Sequence, residues 1–276
     1  MTTRASRQGR LSGSEMLSYD SERFGKIPEP ETFDEILRLA LEPERKEPFN
    51  VWMWRGQADA TWRLDSAAYR RLAISAEKPT EKNLIYYEKR LIIEARYKGF
   101  DLKNGIPMSD LDVLARLQHH GAATRLIDAT RNVLVGLYFS SDQNLEKTGV
   151  LFGFHAYNLG GYEGASEVRT YADAVAKLDK FSHPQTWQPS DVSPRIAAQH
   201  SQFLYSSIRD TPQGSLAIDP DPMSYLAIAI SPKMKNKVTK ILSETFDIGL
   251  PTLFPDLEGF CQSNSVRFRQ NHFARW

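Results

Sequence analysis

The chain alternates between stretches in which apolar residues recur every three or four positions and short runs of apolar, β-branched or aromatic residues. Helical spacing occurs at 32–41, 80–99, 109–121, 132–140 and 233–246. Thr80 and Ser109 are residue types that cap helix N-termini, while Gly99 and Gly121 are placed to end the same two helices. Gly249 is placed to end the helix at 233–246. The pattern therefore predicts these helices with defined ends.

Strand-like runs complete the pattern. Residues 49–54 and 150–155 are rich in aromatic and β-branched residues, and further runs lie within 193–204, 215–218 and 225–230. The polar stretch 160–190 is predicted to be an insertion or a flexible excursion. Because strands and helices mix without regular alternation, we predict an α+β protein, with a mixed, largely antiparallel sheet flanked by helices. The polar residues 1–18 are interpreted as a mobile arm, and residues 19–276 as a single domain.

Composition narrows the functional classes. The chain has 276 residues, with 35 Lys and Arg against 34 Asp and Glu, so no overall field attracts nucleic acid or a membrane. Cys261 is the single cysteine, which excludes an internal disulfide and fits a reducing compartment. No run reaches the roughly 18 apolar residues that a spanning helix requires. We expect a cytoplasmic, soluble protein without membrane contact.

A first candidate motif is Trp54-Arg55-Gly56-Gln57, directly after the first predicted long strand. The Arg55 guanidinium can bind an anion through two parallel hydrogen bonds, and phosphate or pyrophosphate is its natural partner. Gly56 would let the backbone approach a ligand closely, and Gln57 joins them as a candidate binding residue. Alternatively, Arg55 pairs with a buried carboxylate.

A second cluster spans 118–130 and reads Gln-His-His-Gly-Ala-Ala-Thr-Arg-Leu-Ile-Asp-Ala-Thr. His119 and His120 can titrate near neutrality, but neighbouring helix positions face different ways, and we choose His120 as the inward one. Thr124 and Arg125 are candidate donors, and Asp128 could orient Arg125, orient a histidine or stabilise developing positive charge. The alternative is an internal polar network at a helix corner. Zinc-type spacing is missing, and we predict no metal.

Two later segments carry weaker signals. In the run from Arg195, Gln199 could reach into a pocket, although a strand edge explains the pattern equally well. Near the C-terminus, three arginines alternate with aromatic residues, an arrangement that suits single-stranded nucleic acid but also a docked tail or a protein partner. The residues are Arg267, Phe268, Arg269, Phe273, Arg275 and Trp276.

These motifs resemble the FRG-domain family, named for a Phe-Arg-Gly signature that stands here as Trp54-Arg55-Gly56. The resemblance is most specific at 117–121 and 124–130, where Ala129 replaces a typical tryptophan. Residues 195–199 and 254–259 resemble later motifs of the family. The resemblance covers roughly residues 50–261 and implies one FRG-type domain over 19–276.

The aromatic-Arg-Gly motif is in turn similar to the first motif of Arg-Ser-Glu ADP-ribosyltransferases, in which the arginine holds the phosphates of NAD. This similarity implies a split sheet and NAD as a substrate. Residues 195–204 would correspond to the strand that carries the catalytic glutamate. Here that segment offers Gln199 and Gln202 but no glutamate, so the charge role would pass to Asp128 or Glu258.

The resemblance therefore implies an NAD-dependent ADP-ribosyltransferase that acts as a bacterial toxin or phage-defence effector. Arg55 would clamp the pyrophosphate, with His120, Thr124 and Arg125 on the ribose or the second phosphate. Asp128 would stabilise the cation formed as nicotinamide leaves. The acceptor would be RNA or a protein, and a toxin would need a neutralising antitoxin.

Two alternatives stay open, and each gives the cluster at 118–130 another role. One is a metal-independent ribonuclease with His119 or His120 as acid or base. The other is a non-enzymatic sensor that binds a nucleotide or peptide. Gln199 is retained with Arg55, His120 and Asp128 as a candidate catalytic residue, and His119 as a candidate binding residue.

Overall fold

The computed structural model describes residues 16–41, 52–75, 78–155, 160–162, 167–189, 193–219 and 224–265. Most of the predicted arm at 1–18 lies outside these residues, and so does the basic and aromatic segment from Arg267 to Trp276. Within the described residues, no helix is both long enough and apolar enough to cross a membrane.

The described residues form eleven strands and ten α-helices, together with a 3-10 turn at Leu178–Lys180. The strands are β1 (Ser18–Ser21), β2 (Gly25–Pro28), β3 (Trp52–Gln57), β4 (Leu102–Lys103), β5 (Ile106–Pro107), β6 (Ile127–Thr130), β7 (Gly149–His155), β8 (Gly160–Tyr162), β9 (Gln185–Trp187), β10 (Ser201–Tyr205) and β11 (Tyr225–Ile230). The helices are α1 (Phe33–Ala40), α2 (Ala67–Ala73), α3 (Glu81–Tyr97), α4 (Asp110–His119), α5 (Val133–Ser141), α6 (Tyr171–Val175), α7 (Pro194–Ala198), α8 (Pro232–Phe246), α9 (Leu250–Leu253) and α10 (Leu257–Ser263).

One seven-stranded sheet organises the molecule, in the order β11-β7-β3-β6-β10-β9-β8. Neighbouring strands are antiparallel except for β8 and β9, which are parallel. This confirms the predicted α+β class with a largely antiparallel sheet. The central pair is the weakest, because β3 and β6 are in register at a single position, Trp54 opposite Thr130. An ADP-ribosyltransferase-like division of the sheet stays a prediction.

Three apolar clusters cover the sheet. The hairpin of β1 and β2 packs through Phe24 and Ile27 with residues of β3, β6, β7 and β11. A second cluster joins α1, α5 and α8 to the sheet. A third joins α3, α4 and α6 to β9 and β10. Strand β7 is buried at every position, as its continuous apolar sequence predicts.

Most predicted helix ends are confirmed. The side chains of Thr80 and Ser109 accept hydrogen bonds from the backbone at the start of α3 and α4. Gly121 follows α4 with φ +88°, a conformation that favours glycine. The end predicted for α8 is wrong, because Asp247, with φ +55°, ends that helix. Gly249 instead lies at the start of α9.

Two strand predictions are wrong in part. Residues 193–204 begin with α7, since Ser193-Pro194 starts a helix, and only Ser201 to Tyr205 form a strand. Residues 215–218 are not a strand. The excursion at 160–190 contains α6 and strands β8 and β9 of the main sheet.

Helix α5 packs unusually close to β3, and this contact explains Gly56. A Cβ atom on Gly56 would lie 2.1 Å from the Gly136 carbonyl oxygen and 2.3 Å from the Ser140 nitrogen. Both are backbone atoms of a buried helix, so they cannot yield as a side chain could. The expected reason for this glycine, close approach to a ligand, is therefore corrected: the helix backbone requires it.

We expect Gly56→Ala to lower the free energy of unfolding by about 3 kcal/mol or more, because overpacking against backbone cannot relax cheaply. Urea unfolding followed by circular dichroism measures the change. Gly249→Ala is the matched control, since its extended φ of −167° suits any residue and the nearest atom would be 3.8 Å away. Equal losses in the two variants would contradict the packing argument.

Candidate functional site

A cavity of about 430 Å³ lies beside the junction of β3 and β6. Its walls come from both strands, from α2, α4, α5 and α7, and from Phe254. The size suits a small-molecule ligand. Polar and charged side chains lie among aromatic ones on its surface, namely Arg55, Gln57, Arg70, Gln118, His119, Asp128, Asp142, Arg195 and Gln199 with Trp54, Trp62, Phe139, Phe203 and Phe254. All four residues of the first sequence motif, 54–57, therefore line this cavity together with part of the cluster at 118–130.

Arg55 is the cation at the strand junction. Its Nη1 donates to the Asp128 carbonyl oxygen at 2.7 Å, which ties β3 to β6 just beyond their single paired position. Its Nε is buried and has no hydrogen-bond partner in the part of the chain that the structure describes. Burial lowers the pKa of Arg55, with Asp128 opposing the shift, yet a guanidinium stays charged at any physiological pH.

The alternative role for Arg55, pairing with a buried carboxylate, finds no support among the described residues, where Arg55 makes no ion pair. Gln57 lies two residues further along β3 and is 4% exposed. Its Nε2 donates to the Arg63 carbonyl at 3.2 Å, while its Oε1 is buried without a partner among the described side chains and backbone. Both residues line the cavity, and each carries a buried polar atom without a hydrogen-bond partner among the described residues.

Asp128 is oriented by a short chain of hydrogen bonds. The Thr124 hydroxyl donates to Gln118 Oε1, and Gln118 Nε2 donates to Asp128 Oδ1 at 2.8 Å. Thr124 itself is fully buried, so the ligand contact predicted for it is wrong. It acts instead through Gln118, which the sequence reasoning missed although it begins the 118–130 cluster. The chain of bonds fixes one carboxylate oxygen of Asp128, which lies at the cavity surface.

Arg125 belongs to the interior, and its predicted binding role is corrected. Its Nε donates to Glu88 Oε2 at 2.6 Å, its Nη1 to Glu81 Oε1 at 2.9 Å and its Nη2 to the Tyr171 hydroxyl at 2.7 Å. Burial alone would lower its pKa, but the carboxylates outweigh burial and raise it. A guanidinium that is 2% exposed needs such partners, and this network leaves none of it for a ligand.

The structure places His119, not His120, in the cavity. His120 is exposed and contacts His119 edge to face, with ring centroids 4.8 Å apart. Burial, then Arg195 and His120, lower the pKa of His119, so its imidazole is mostly neutral near pH 7. The choice of His120 was therefore wrong. Helix spacing could not decide between the two, since α7 and α10, which cover His119, are distant in sequence.

Arg195 and Gln199 reach the cavity from α7. Arg195 binds Asp256 through Nε and Nη2, both at 2.9 Å, and lies over the Phe254 ring, which makes it a fixed part of the wall. Gln199 is at the end of α7, where its Nε2 donates to the Leu253 carbonyl at 3.0 Å. The prediction that Gln199 lies on a strand is corrected, although its position at the cavity agrees with the expectation.

The acidic candidates for the charge role differ sharply in position. Asp128 lies at the cavity surface, whereas the Glu258 side chain is 71% exposed and pairs with Arg195 at 3.3 Å. Gln202, on β10, is 1% exposed. Among the described residues, no three His, Cys, Asp or Glu side chains come together as metal ligands would. Of the two acidic candidates, Asp128 is thus the one better placed to act on a bound ligand.

Asp142 is a site residue that the sequence reasoning missed. It caps the C-terminal end of α5 and lines the cavity. Burial raises its pKa to about 7, against a smaller opposing effect of Lys235. The Lys235 ammonium, itself buried, donates to the carbonyls of Ala58, Gln143 and Asn144 at 2.7 to 3.0 Å. No local motif marks Asp142, because its environment is assembled from distant segments.

Comparison with known proteins bears on the first half of the chain. The family model of the FRG domain matches residues 50–149, which include Arg55, Gln118, His119 and Asp128. Arg195 and Gln199 lie outside the match. Neither the curated proteins nor the solved structures include one that matches this chain.

The raised pKa of Asp142 gives a prediction about stability and pH. Its folded pKa near 7 exceeds the ordinary value of 3.8, so between these values the folded state binds more protons than the unfolded state. Stability contributed at this position is therefore lost as pH rises from about 3.8 to about 7. We expect the stability that Asp142→Asn gains over the wild type to be clearly larger at pH 8 than at pH 5, as measured by urea unfolding. Asp34→Asn is the control, because the Asp34 side chain is 75% exposed on α1. A gain at Asp142 that is equal at both pH values would contradict the assignment.

Proposed function

We propose that this chain, whose residues 50–149 match the family model of the FRG domain, is an NAD-dependent ADP-ribosyltransferase with Arg55 on the pyrophosphate of NAD. One observation carries the proposal. The Arg55 guanidinium lies in the cavity wall, bound on one side to the Asp128 carbonyl and without an ion-pair partner among the described residues.

A diphosphate would supply hydrogen-bond acceptors to the Arg55 guanidinium, whose Nε–H has no partner among the described residues. A buried donor without an acceptor costs about 1–3 kcal/mol, so the free Nε–H favours a ligand that brings an acceptor. Phosphate oxygens suit this role because a guanidinium binds them through two parallel hydrogen bonds. Arg70, exposed at the same cavity, adds a second positive charge nearby. Together they favour a ligand with two phosphates over a single carboxylate.

Aromatic side chains support the dinucleotide part of the proposal. NAD carries two flat ring systems, and Trp62, Phe139 and Phe254 line the cavity. Trp62 is 45% exposed, although tryptophan is on average a largely buried residue type, so its ring offers a surface for stacking. Stacking of a base or of the nicotinamide ring on such a surface contributes about 1–3 kcal/mol.

The reaction follows from the placement of Asp128. The bond between the ribose C1′ and the nicotinamide nitrogen breaks, and its electron pair leaves with nicotinamide. The oxocarbenium-like cation that remains is stabilised by the Asp128 carboxylate, whose orientation Gln118 fixes. A nucleophilic atom of the acceptor then bonds to C1′, and its proton passes to the neutral His119 imidazole.

This chemistry suits an effector that modifies macromolecules of its own cell. In that role the protein is a toxin or a phage-defence enzyme, and an antitoxin partner would keep it silent. A partner that covers the mouth of the cavity, beside exposed Trp62 and Arg70, would be sufficient to exclude NAD.

We expect Arg55→Ala to weaken NAD binding roughly 10- to 100-fold, because it removes a charge-assisted hydrogen bond in a partly buried site. Isothermal titration calorimetry measures the affinity, and release of nicotinamide measures turnover. Arg55→Lys keeps the charge without the fork of donors and is expected to recover little of the loss. Arg38→Ala is the control, since Arg38 is 70% exposed on α1 and pairs with Asp34.

Incubation of the protein with NAD and total cellular RNA or protein separates the alternative functions. Nicotinamide release, with the mass of one ADP-ribose added to RNA or protein, supports the transferase and identifies the acceptor. Cleaved RNA without NAD consumption would replace it with a nuclease that uses His119. NAD binding without turnover would favour a sensor. Full NAD affinity in Arg55→Ala would refute the role of Arg55.

A further inference from the structure

A second cavity, of about 250 Å³, adjoins the first. His119 and Ile196 line both cavities, so they form the boundary between them. The side chains of Lys103, Arg116 and His120 also line it, and no acidic residue does so in the part of the chain that the structure describes. A cavity with this lining favours an anion.

Arg116 is the fixed cation of this second cavity. Its Nη1 donates to the Leu102 carbonyl at 2.7 Å and lies 3.7 Å from the Met108 sulfur. These contacts hold the guanidinium in place without neutralising it, since no carboxylate among the described residues forms an ion pair with Arg116. The arrangement parallels Arg55, which is also positioned by a carbonyl oxygen and also lacks a counterion.

Further hydrogen-bond donors lie near Arg116 in this cavity. His119 and His120 contact each other edge to face at the boundary, and both face this cavity. The Ser193 hydroxyl also lines it, and its oxygen is buried without a hydrogen-bond partner in the described ranges. A guanidinium with imidazole and hydroxyl donors is a set that binds phosphate oxygens.

We propose that this second cavity binds a phosphodiester group of single-stranded nucleic acid and thereby presents the strand to the neighbouring NAD cavity. The role of the strand as acceptor rests on the proposed function. Binding of the strand does not, because none of its contacts involves NAD.

The charge of the cavity favours a diester over a phosphorylated peptide. A phosphomonoester carries nearly two negative charges and is usually bound by several arginines. Here one guanidinium is joined by the ammonium of Lys103 and by two imidazoles, and burial lowers the pKa of His119. The C-terminal end of α4 also lies at this point, and its partial negative charge disfavours a dianion more than a monoanion. The nearest carboxylate to His119, that of Asp256 at 3.8 Å, is already bound by Arg195.

The test measures binding of a fluorescent eight-nucleotide RNA by anisotropy at several salt concentrations. We expect Arg116→Gln to weaken binding about 10-fold and to reduce the salt dependence by about one phosphate contact. His120→Gln changes an exposed side chain, leaves the fold intact and should weaken binding 3- to 10-fold. Arg38→Gln, at neither cavity, should bind like the wild type.

A matched RNA with neutral methylphosphonate linkages tests the ligand chemistry and should bind no better to the wild type than to Arg116→Gln. NAD affinity, measured on the same proteins, should be unchanged in Arg116→Gln. Equal RNA binding by the wild type and both variants would overturn the proposal, as would preferred binding of a phosphopeptide. If Arg116→Gln loses NAD binding together with RNA binding, the two ligands share a single site, and this result would also overturn the proposal. If the wild type binds RNA but not NAD, the proposed function fails while this binding site stands.

Discussion

The hydrogen bond from Arg55 to the Asp128 carbonyl joins β3 and β6 where their regular pairing stops. In a continued ladder, Gly56 would stand opposite Asp128, and backbone groups would satisfy that carbonyl. Because the strands are in register at one position alone, a side chain takes over this role. The guanidinium is thereby fixed at the cavity with its Nε unused, and the site chemistry follows from this arrangement.

The polar residues of the 118–130 cluster divide between two tasks. Arg125 stabilises the interior through Glu88, which is fully buried on α3. Thr124 and Gln118 orient Asp128 toward the cavity. These tasks depend on each other, because the Arg125 network holds the segment whose next residues form β6. The interpretation as an internal network thus applies to Arg125, and the interpretation as a functional site applies to Gln118 and Asp128.

Much of the fold could be predicted from the sequence, because caps and apolar spacing are local. Thr80 and Ser109 cap the starts of α3 and α4, and Gly121 follows the end of α4, as expected. The short elements α2, α7, β6 and β9 were missed or misassigned, since their formation depends on partners across the sheet. A run of four or five residues carries too little periodicity to distinguish a strand from a helix.

The positions of Arg55 and Asp128 at the cavity could be predicted, because their residue types and the motifs that contain them both indicate a binding site. The site was not predictable for His119 against His120, or for Asp142, whose raised pKa arises from burial among segments distant in sequence. Gly56 was recognised as necessary for a mistaken reason, because only the packed structure reveals the helix backbone behind it.

The central claim is that the free Nε–H of Arg55 is the point at which the protein binds a phosphate of NAD. Nuclear magnetic resonance of the arginine Nε–H groups during a titration with NAD tests it directly. The account predicts that the Arg55 signal moves downfield and saturates with NAD, while that of Arg125, already bound to Glu88, stays in place. Saturable NAD binding that leaves the Arg55 signal unmoved would contradict it.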